Sequence, residues 1–244
     1  NAAKLGVPIT SHCEDHSLVT EGAINRGRAS KVLGDPGIPA LAEELIVARD
    51  ILFAEDTGAK LHIQHVTTAR AVQLIREAKA RGVRVTAETA PHYFSITDEA
   101  VIELGALAKV NPPLRTKNDI EAIIEGLQDG TLDAIATDHA PHTAEEKNKG
   151  LKNAPFGLIG LETCVGLTCT YLVHRGKLTV EDAIAKLTVH PARIMGLQEG
   201  RLKIGGKAKI TVIDPQLEWT VEKNGFYSKS WNSPFIGQKL KGKA

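Results

Sequence analysis

Residues 60–82 read KLHIQHVTTARAVQLIREAKARG, and this stretch decides the fold. KLHIQHV has the length and the Leu, Ile and Val content of a buried strand. Thr67 and Thr68 follow as N-caps, since a threonine hydroxyl can accept from the free N–H groups of a first helical turn. In ARAVQLIREAKARG, Ala71, Leu74, Ile75 and Ala78 fall at i, i+3, i+4 and i+7, one apolar stripe along a helix, and Gly82 is a stop. Strand and helix together form a βα unit.

The same alternation recurs on both sides. VPITSH (7–12), RVTAETA (84–90), LAKVN (107–111) and LDAIATD (132–138) are strand-like, and KNDIEAIIEGLQDG (117–130) and TVEDAIAKLTVHPARIMGL (179–197) are helical. Strands that are apolar on both faces and separated by helices belong to parallel sheets, open or closed. The pattern leans towards the barrel. No G-x-G-x-x-G and no G-x-x-x-x-G-K-[ST] follows a strand, so the phosphate cradles of dinucleotide and P-loop proteins are missing. From residue 198 the texture changes. EGRLKIGGKAKITVIDPQLEWTV (199–221) alternates in short runs around Gly-Gly and Asp-Pro turns, which predicts a small β module over 198–244 beside a larger unit over 1–197. The last stretch, YSKSWNSPFIGQKLKGKA, is expected to be irregular.

The bulk numbers fit an ordinary globular enzyme. The chain has 244 residues, 42% hydrophobic and 24% charged, enough for a sizeable core. Thirty Lys and Arg against 29 acids leave a net charge of +1, which provides no field for a polyanion. A small-molecule partner is expected rather than nucleic acid. Apolar runs are too short to span a bilayer, and a cytoplasmic location is the default. Cys13, Cys164 and Cys169 are odd in number and lack C-x-x-C spacing, so they read as reduced core residues. The opening NAAKLGVPITSH enters a strand with no cap before it, and the expectation is the C-terminal part of a longer polypeptide.

Three polar residues stand at strand exits: His12 after VPITS, His65 after KLHIQ, and Asp138 at the end of LDAIATD. In a parallel barrel the C-terminal strand ends gather on the face that carries active sites. Two imidazoles and a carboxylate converging there are a plausible donor set for zinc or a similar divalent ion. His62 and His65 are three apart, so a strand sends them to opposite faces. His65, nearer the loop, is the candidate, and His62 is read as packed or outward-facing. His16, His174 and His190 read as structural, Glu14 and Asp15 as partners of the site or, preferably, a helix cap, and His92 is undecided. The charged loop TAEEKNKGLKNA (143–154) reads as a surface excursion.

ATDHAPH, with KVNPPLR before it and APFGLIGLET after it, resembles the dihydroorotases of the amidohydrolase superfamily, in their bacterial single-enzyme type. HCEDHSL, HIQHVTT, VTAETAPHYF and SKSWNSPFIGQKLKG match as well, so the resemblance covers essentially the whole chain. It implies the C-terminal half of a metal-dependent-hydrolase TIM-type (β/α)8 barrel plus a small β-sandwich module. It implies a zinc-dependent cyclic amidohydrolase with one or two Zn2+ per site, cyclising N-carbamoyl-L-aspartate reversibly to L-dihydroorotate in pyrimidine biosynthesis. By the same resemblance His12, His65 and Asp138 are metal ligands, Asp138 is also the catalytic acid/base, and Asn111, His142, Phe156 and Gly157 contact the substrate. His139 is a structural neighbour. A homodimer and association with aspartate transcarbamoylase are further implications.

One departure limits the expected activity. The family's H-x-H motif with its following Arg, and its metal-bridging Asp or carboxylated Lys, have no counterpart in these residues, so the chain alone is expected to be inactive. Two other readings share parts of the pattern: an allantoinase or dihydropyrimidinase, and a non-catalytic dihydroorotase-like subunit of an aspartate transcarbamoylase complex.

Overall fold

A computed structural model describes residues 1–200 and 202–244. Four parallel strands, β1 (Pro8–Ser11), β2 (Lys60–Ile63), β3 (Val85–Thr89) and β4 (Ala134–Ile135), lie side by side in chain order. Ile9 pairs with Leu61, Leu61 with Val85, and Thr89 with Ile135. Helices make the crossovers: Leu41–Thr57 between β1 and β2, Ala69–Ala80 between β2 and β3, and Lys117–Asp129 between β3 and β4. Successive parallel neighbours joined by helices are the repeating unit of an α/β sheet.

The helix read from residues 69–82 forms as its sequence requires. Thr68 caps it by accepting from the Ala71 N–H at 3.0 Å, and its apolar stripe buries Ala71, Val72, Ile75 and Ala78. These meet Leu61, Ile63, Val85 and Ala87 from the strands, and Ile123 and Leu127 from the next helix, in one core. Each Val, Leu or Ile among them contributes roughly 1.5–3 kcal/mol by leaving water, and the alanines less. The opposite face of the sheet carries Thr10, His62 and Thr86 in one row, with Glu88 above. His62 is therefore packed on the helix-free face, not turned outward to solvent.

Three expectations change. LAKVN is not a strand: Gly105–Ala108 is a 3-10 turn, and Lys109 and Val110 are buried in a loop. The long C-terminal helix is two, Val180–Leu187 and Val189–Ile194. Over 198–244 the described residues form one antiparallel pair, β5 (Asp214–Thr220) with β6 (Lys239–Lys243); residues 202–213, read as strand-like, carry no strand, and Ile204, Ile210 and Val212 are exposed. The tail expected to be irregular supplies β6. It packs Phe235 and Leu240 with Leu167 and Val221 into a second small core. Close approach is why Gly242 is a glycine: a Cβ there would come within 2.5 Å of Cys169 Sγ. All three cysteines are free and buried, and burial pushes the thiols of Cys13 and Cys164 up to about 12. No described helix is long and apolar enough to cross a membrane.

Candidate active site

His12 comes directly after β1 and His65 two residues beyond β2, so the parallel register brings them to one sheet edge. His12 Nδ1 and His65 Nε2 stand 2.8 Å apart, with the rings edge to face at 78°. The backbone enforces this. Gln64 N–H donates to Ser11 at 3.0 Å and Val66 N–H to Glu88 at 2.8 Å, so both neighbours of His65 are anchored and His65 takes φ +34°. Asp138 shows the same device: Ala136 is tied to Thr89 and Ala140 to Leu158, and Asp138 takes φ +47° between them. Left-handed backbone in a non-glycine residue costs on the order of 1–3 kcal/mol and collects at functional sites. Two of the three described residues of this kind are His65 and Asp138.

Around His12 a carboxylate and an amide close the ring of contacts. Glu14 Oε2 lies 3.3 Å from His12 Nε2 and 3.4 Å from His16 Nδ1, and Asn111 Nδ2 donates to both Glu14 oxygens at 3.1 and 3.2 Å. If His12 donates from Nε2 to Glu14, its Nδ1 is the acceptor that faces His65. Glu14 and Asp15 thus divide their work: Asp15 caps the short helix His16–Val19, accepting from Ser17 N–H at 3.0 Å, and Glu14 braces His12. Burial, with the charge of His12, pushes His65 down to about 4. It stays neutral at pH 7, the form in which imidazole ligates metals.

Asp138 occupies the exposed mouth of the same edge. Partial desolvation raises its carboxyl above the usual range, Glu88 acts in the same direction, and His12 opposes both. Glu88 is itself paired with His62, Oε2 to Nε2 at 3.1 Å, and His62 Nδ1 reaches Thr86 Oγ1 at 2.9 Å. A carboxyl whose proton affinity is raised holds a proton more readily, which suits a group that accepts and returns one.

The second group of candidates forms a separate cluster. His142 Nε2 meets the Phe156 carbonyl at 2.8 Å, and Asn232 ties the assembly together, accepting from His142 N–H at 3.0 Å and donating to the carbonyls of Ala140 and Gly157 at 3.0 and 3.2 Å. Gly157 at φ +118° has no room for a side chain: a Cβ would meet Ala140 Cβ at 2.5 Å and His142 Nε2 at 3.3 Å. His139 is structural, its Nδ1 accepting from the N–H groups of Gly160 and Leu161 at 3.1 and 3.3 Å. His174 and His190 bind backbone carbonyls of Pro215 and Asp133.

Whether these residues suit a divalent ion is tested by their unpaired atoms. Among the described residues no three His, Cys, Asp or Glu side chains converge tightly enough to enclose a cation. His12 and His65 nevertheless turn ring nitrogens onto one point, and His65 Nδ1 and His92 Nε2 are buried without hydrogen-bond partners. Two imidazoles with a carboxyl nearby fit one side of a divalent ion's coordination shell. His92, buried at the exit of β3, was within reach of the strand-exit reasoning that found His12 and His65. Burial and the nearby His65 push it down to about 3. The sequence offered Glu14 as a possible partner of the site, but nothing in it marked Asn111 as the donor to Glu14 or Asn232 as a tie, because those contacts span 97 and 90 residues.

Comparison with known proteins gives the same direction. The amidohydrolase family matches over residues 1–243. The dihydroorotase of Pelotomaculum thermopropionicum is 56% identical over 99% of this chain and 56% of its own length, and that of Acetivibrio thermocellus 52% identical over 97% and 55%. The chain therefore spans about half the length of the curated relatives it matches. Among solved structures, the L-hydantoinase (dihydropyrimidinase) of Arthrobacter aurescens superposes with a TM-score of 0.88 at 27% identity, and the D-hydantoinase of a Thermus species with 0.87 at 27%. Each covers 99% of this chain and 55% of the other. The paired histidines at consecutive strand exits and a match running nearly end to end lead to one conclusion: the chain belongs to the amidohydrolase family.

Proposed function

We propose that this chain forms part of a zinc-dependent dihydroorotase, interconverting N-carbamoyl-L-aspartate and L-dihydroorotate in pyrimidine biosynthesis. The observation that carries the reading is the facing pair His12 and His65 at adjacent strand ends, with Asp138 on the same edge. Relatives named dihydroorotase at 49–56% identity support the substrate. In this reading β1–β4 are half of a (β/α)8 barrel, and residues 198–244 contribute to a β-sandwich completed by other chain.

His12, His65 and Asp138 would hold the ion. The chemistry such an ion supplies is water activation near neutral pH and polarisation of the amide carbonyl. In the hydrolytic direction Asp138 takes the proton of the attacking water and returns it to the departing ring nitrogen, and in cyclisation the transfers reverse. Asn111 and His142 hold the substrate carboxylate and ring amide, and the backbone at Phe156 and Gly157 completes the cradle, an orientational contribution. A homodimer, association with aspartate transcarbamoylase and a cytoplasmic location accompany this reading.

The hydantoinase folds favour a second reading, a dihydropyrimidinase-type cyclic amide hydrolase. Assays with carbamoyl aspartate, dihydrouracil and allantoin separate the two. They should be run on the 244-residue chain and on a polypeptide of the relatives' length that carries it. Turnover of carbamoyl aspartate by the longer protein alone is expected; hydrolysis of dihydrouracil in its place would overturn the reading.

A further inference from the structure

Two lysines with no part in the chemistry above are buried beside the substrate-facing cluster. Lys109 and Lys147 are 3% and 4% exposed. Neither ammonium has a carboxylate within ion-pair distance among the described residues; each is surrounded by backbone oxygens. Lys109 Nζ donates to the carbonyls of Leu151, Lys152 and Ala154 at 2.7, 3.2 and 2.7 Å, and lies 4.4 Å from the centre of the Phe156 ring. Lys147 Nζ donates to Pro155 and Gly157 at 3.0 and 2.9 Å. With His142 on the Phe156 carbonyl, every carbonyl from Ala154 to Gly157 is taken.

The N–H groups of this strap are then accounted for one by one. Ala154 donates to Gly150, Pro155 has none, and Gly157 donates to the Lys109 carbonyl at 2.9 Å. Phe156 N–H donates to no protein group among the described residues. It shares a trans peptide plane with the Pro155 carbonyl, so the two point in opposite directions. Holding that carbonyl on Lys147 therefore turns the Phe156 N–H away from the lysine.

We propose that Lys109 and Lys147 are positioning residues: by holding the carbonyl oxygens of Leu151, Lys152, Ala154, Pro155 and Gly157, they present the Phe156 N–H, beside His142, as a donor to a carboxylate of the ligand. Burial pushes Lys147 down to about 8, with the charge of Lys109 acting in the same direction, so the two charges are held together against their preference. An apolar filler would serve packing alone at lower cost. The inference rests on the dihydroorotase reading only for the identity of the carboxylate.

Two measurements test it. In the longer polypeptide, Lys147→Met should raise the KM for carbamoyl aspartate about tenfold and leave kcat within about threefold, the signature of lost binding shared by ground and transition states. A KM within about twofold of the parent overturns the proposal. On the unsubstituted 244-residue chain, titration with succinate should shift the Phe156 amide resonance, and this shift should be lost in Lys147→Met and in Lys109→Met. Absence of the shift in the parent, or its persistence in both variants, also overturns the proposal. Because succinate requires no turnover, this second result stands even if carbamoyl aspartate proves not to be the substrate.

Discussion

His12 and His65, 53 residues apart, face each other with ring nitrogens 2.8 Å apart because β1 and β2 are parallel neighbours in register. Either ring alone is a weak ligand. His65→Ala in the 244-residue chain should lower zinc affinity by about 10–100-fold or more, measured by calorimetric titration. Unchanged affinity would place the ion elsewhere.

Glycine at 157 is demanded by space as well as by φ. Gly157→Ala would drive a Cβ into Ala140 and against His142 Nε2. Chemical denaturation should show a loss of about 2 kcal/mol or more, and the His142 ring resonances should move.

Behind the site Arg115 lies fully enclosed, its Nη1 donating to Asn25 Oδ1 at 2.7 Å, its Nε to Thr67 Oγ1 at 3.0 Å, and its Nη2 3.5 Å from Glu43. Glu43 in turn accepts from Thr67 N–H and hydroxyl. Truncation leaves a buried carboxylate uncompensated, so Arg115→Met should destabilise by about 3–5 kcal/mol in urea unfolding. Pairing it with Glu43→Gln should recover part of that loss.

Much of this was legible in the sequence, for a physical reason. Strand, cap and amphipathic helix over 60–82 are local properties, and parallel pairing then carries His12, His65 and Asp138 to a common edge without further information. LAKVN misled because its apolar residues are buried in a loop, where Lys109 points inward to satisfy carbonyls rather than outward to solvent. The 143–154 loop, read as a surface excursion, buries Lys147 for the same purpose. Residues 202–213 alternate like strands yet find no partner among the described residues, since β pairing depends on what lies alongside and not on pattern alone.

Acid should expose His92. Its proton affinity falls from an ordinary 6.5 to about 3 in the fold, so the unfolded chain binds the proton first. The stability tied to its neutral form is complete above pH 6.5 and lost as the pH falls towards 3, on the order of 5 kcal/mol. His92→Phe should flatten the stability-against-pH curve of the parent across that window; an unaltered slope would mean that His92 is not held neutral by burial.

The central claim is that this chain supplies the proton carrier and two imidazole ligands of a dihydroorotase. Its most direct test is the rate at which a polypeptide of the relatives' length, carrying this chain, forms L-dihydroorotate from N-carbamoyl-L-aspartate, with and without Asp138→Asn. The account predicts turnover in the parent and a loss of about 100-fold or more in the variant, in keeping with removal of a general acid/base. No turnover in the parent, or full activity with asparagine at 138, would contradict it.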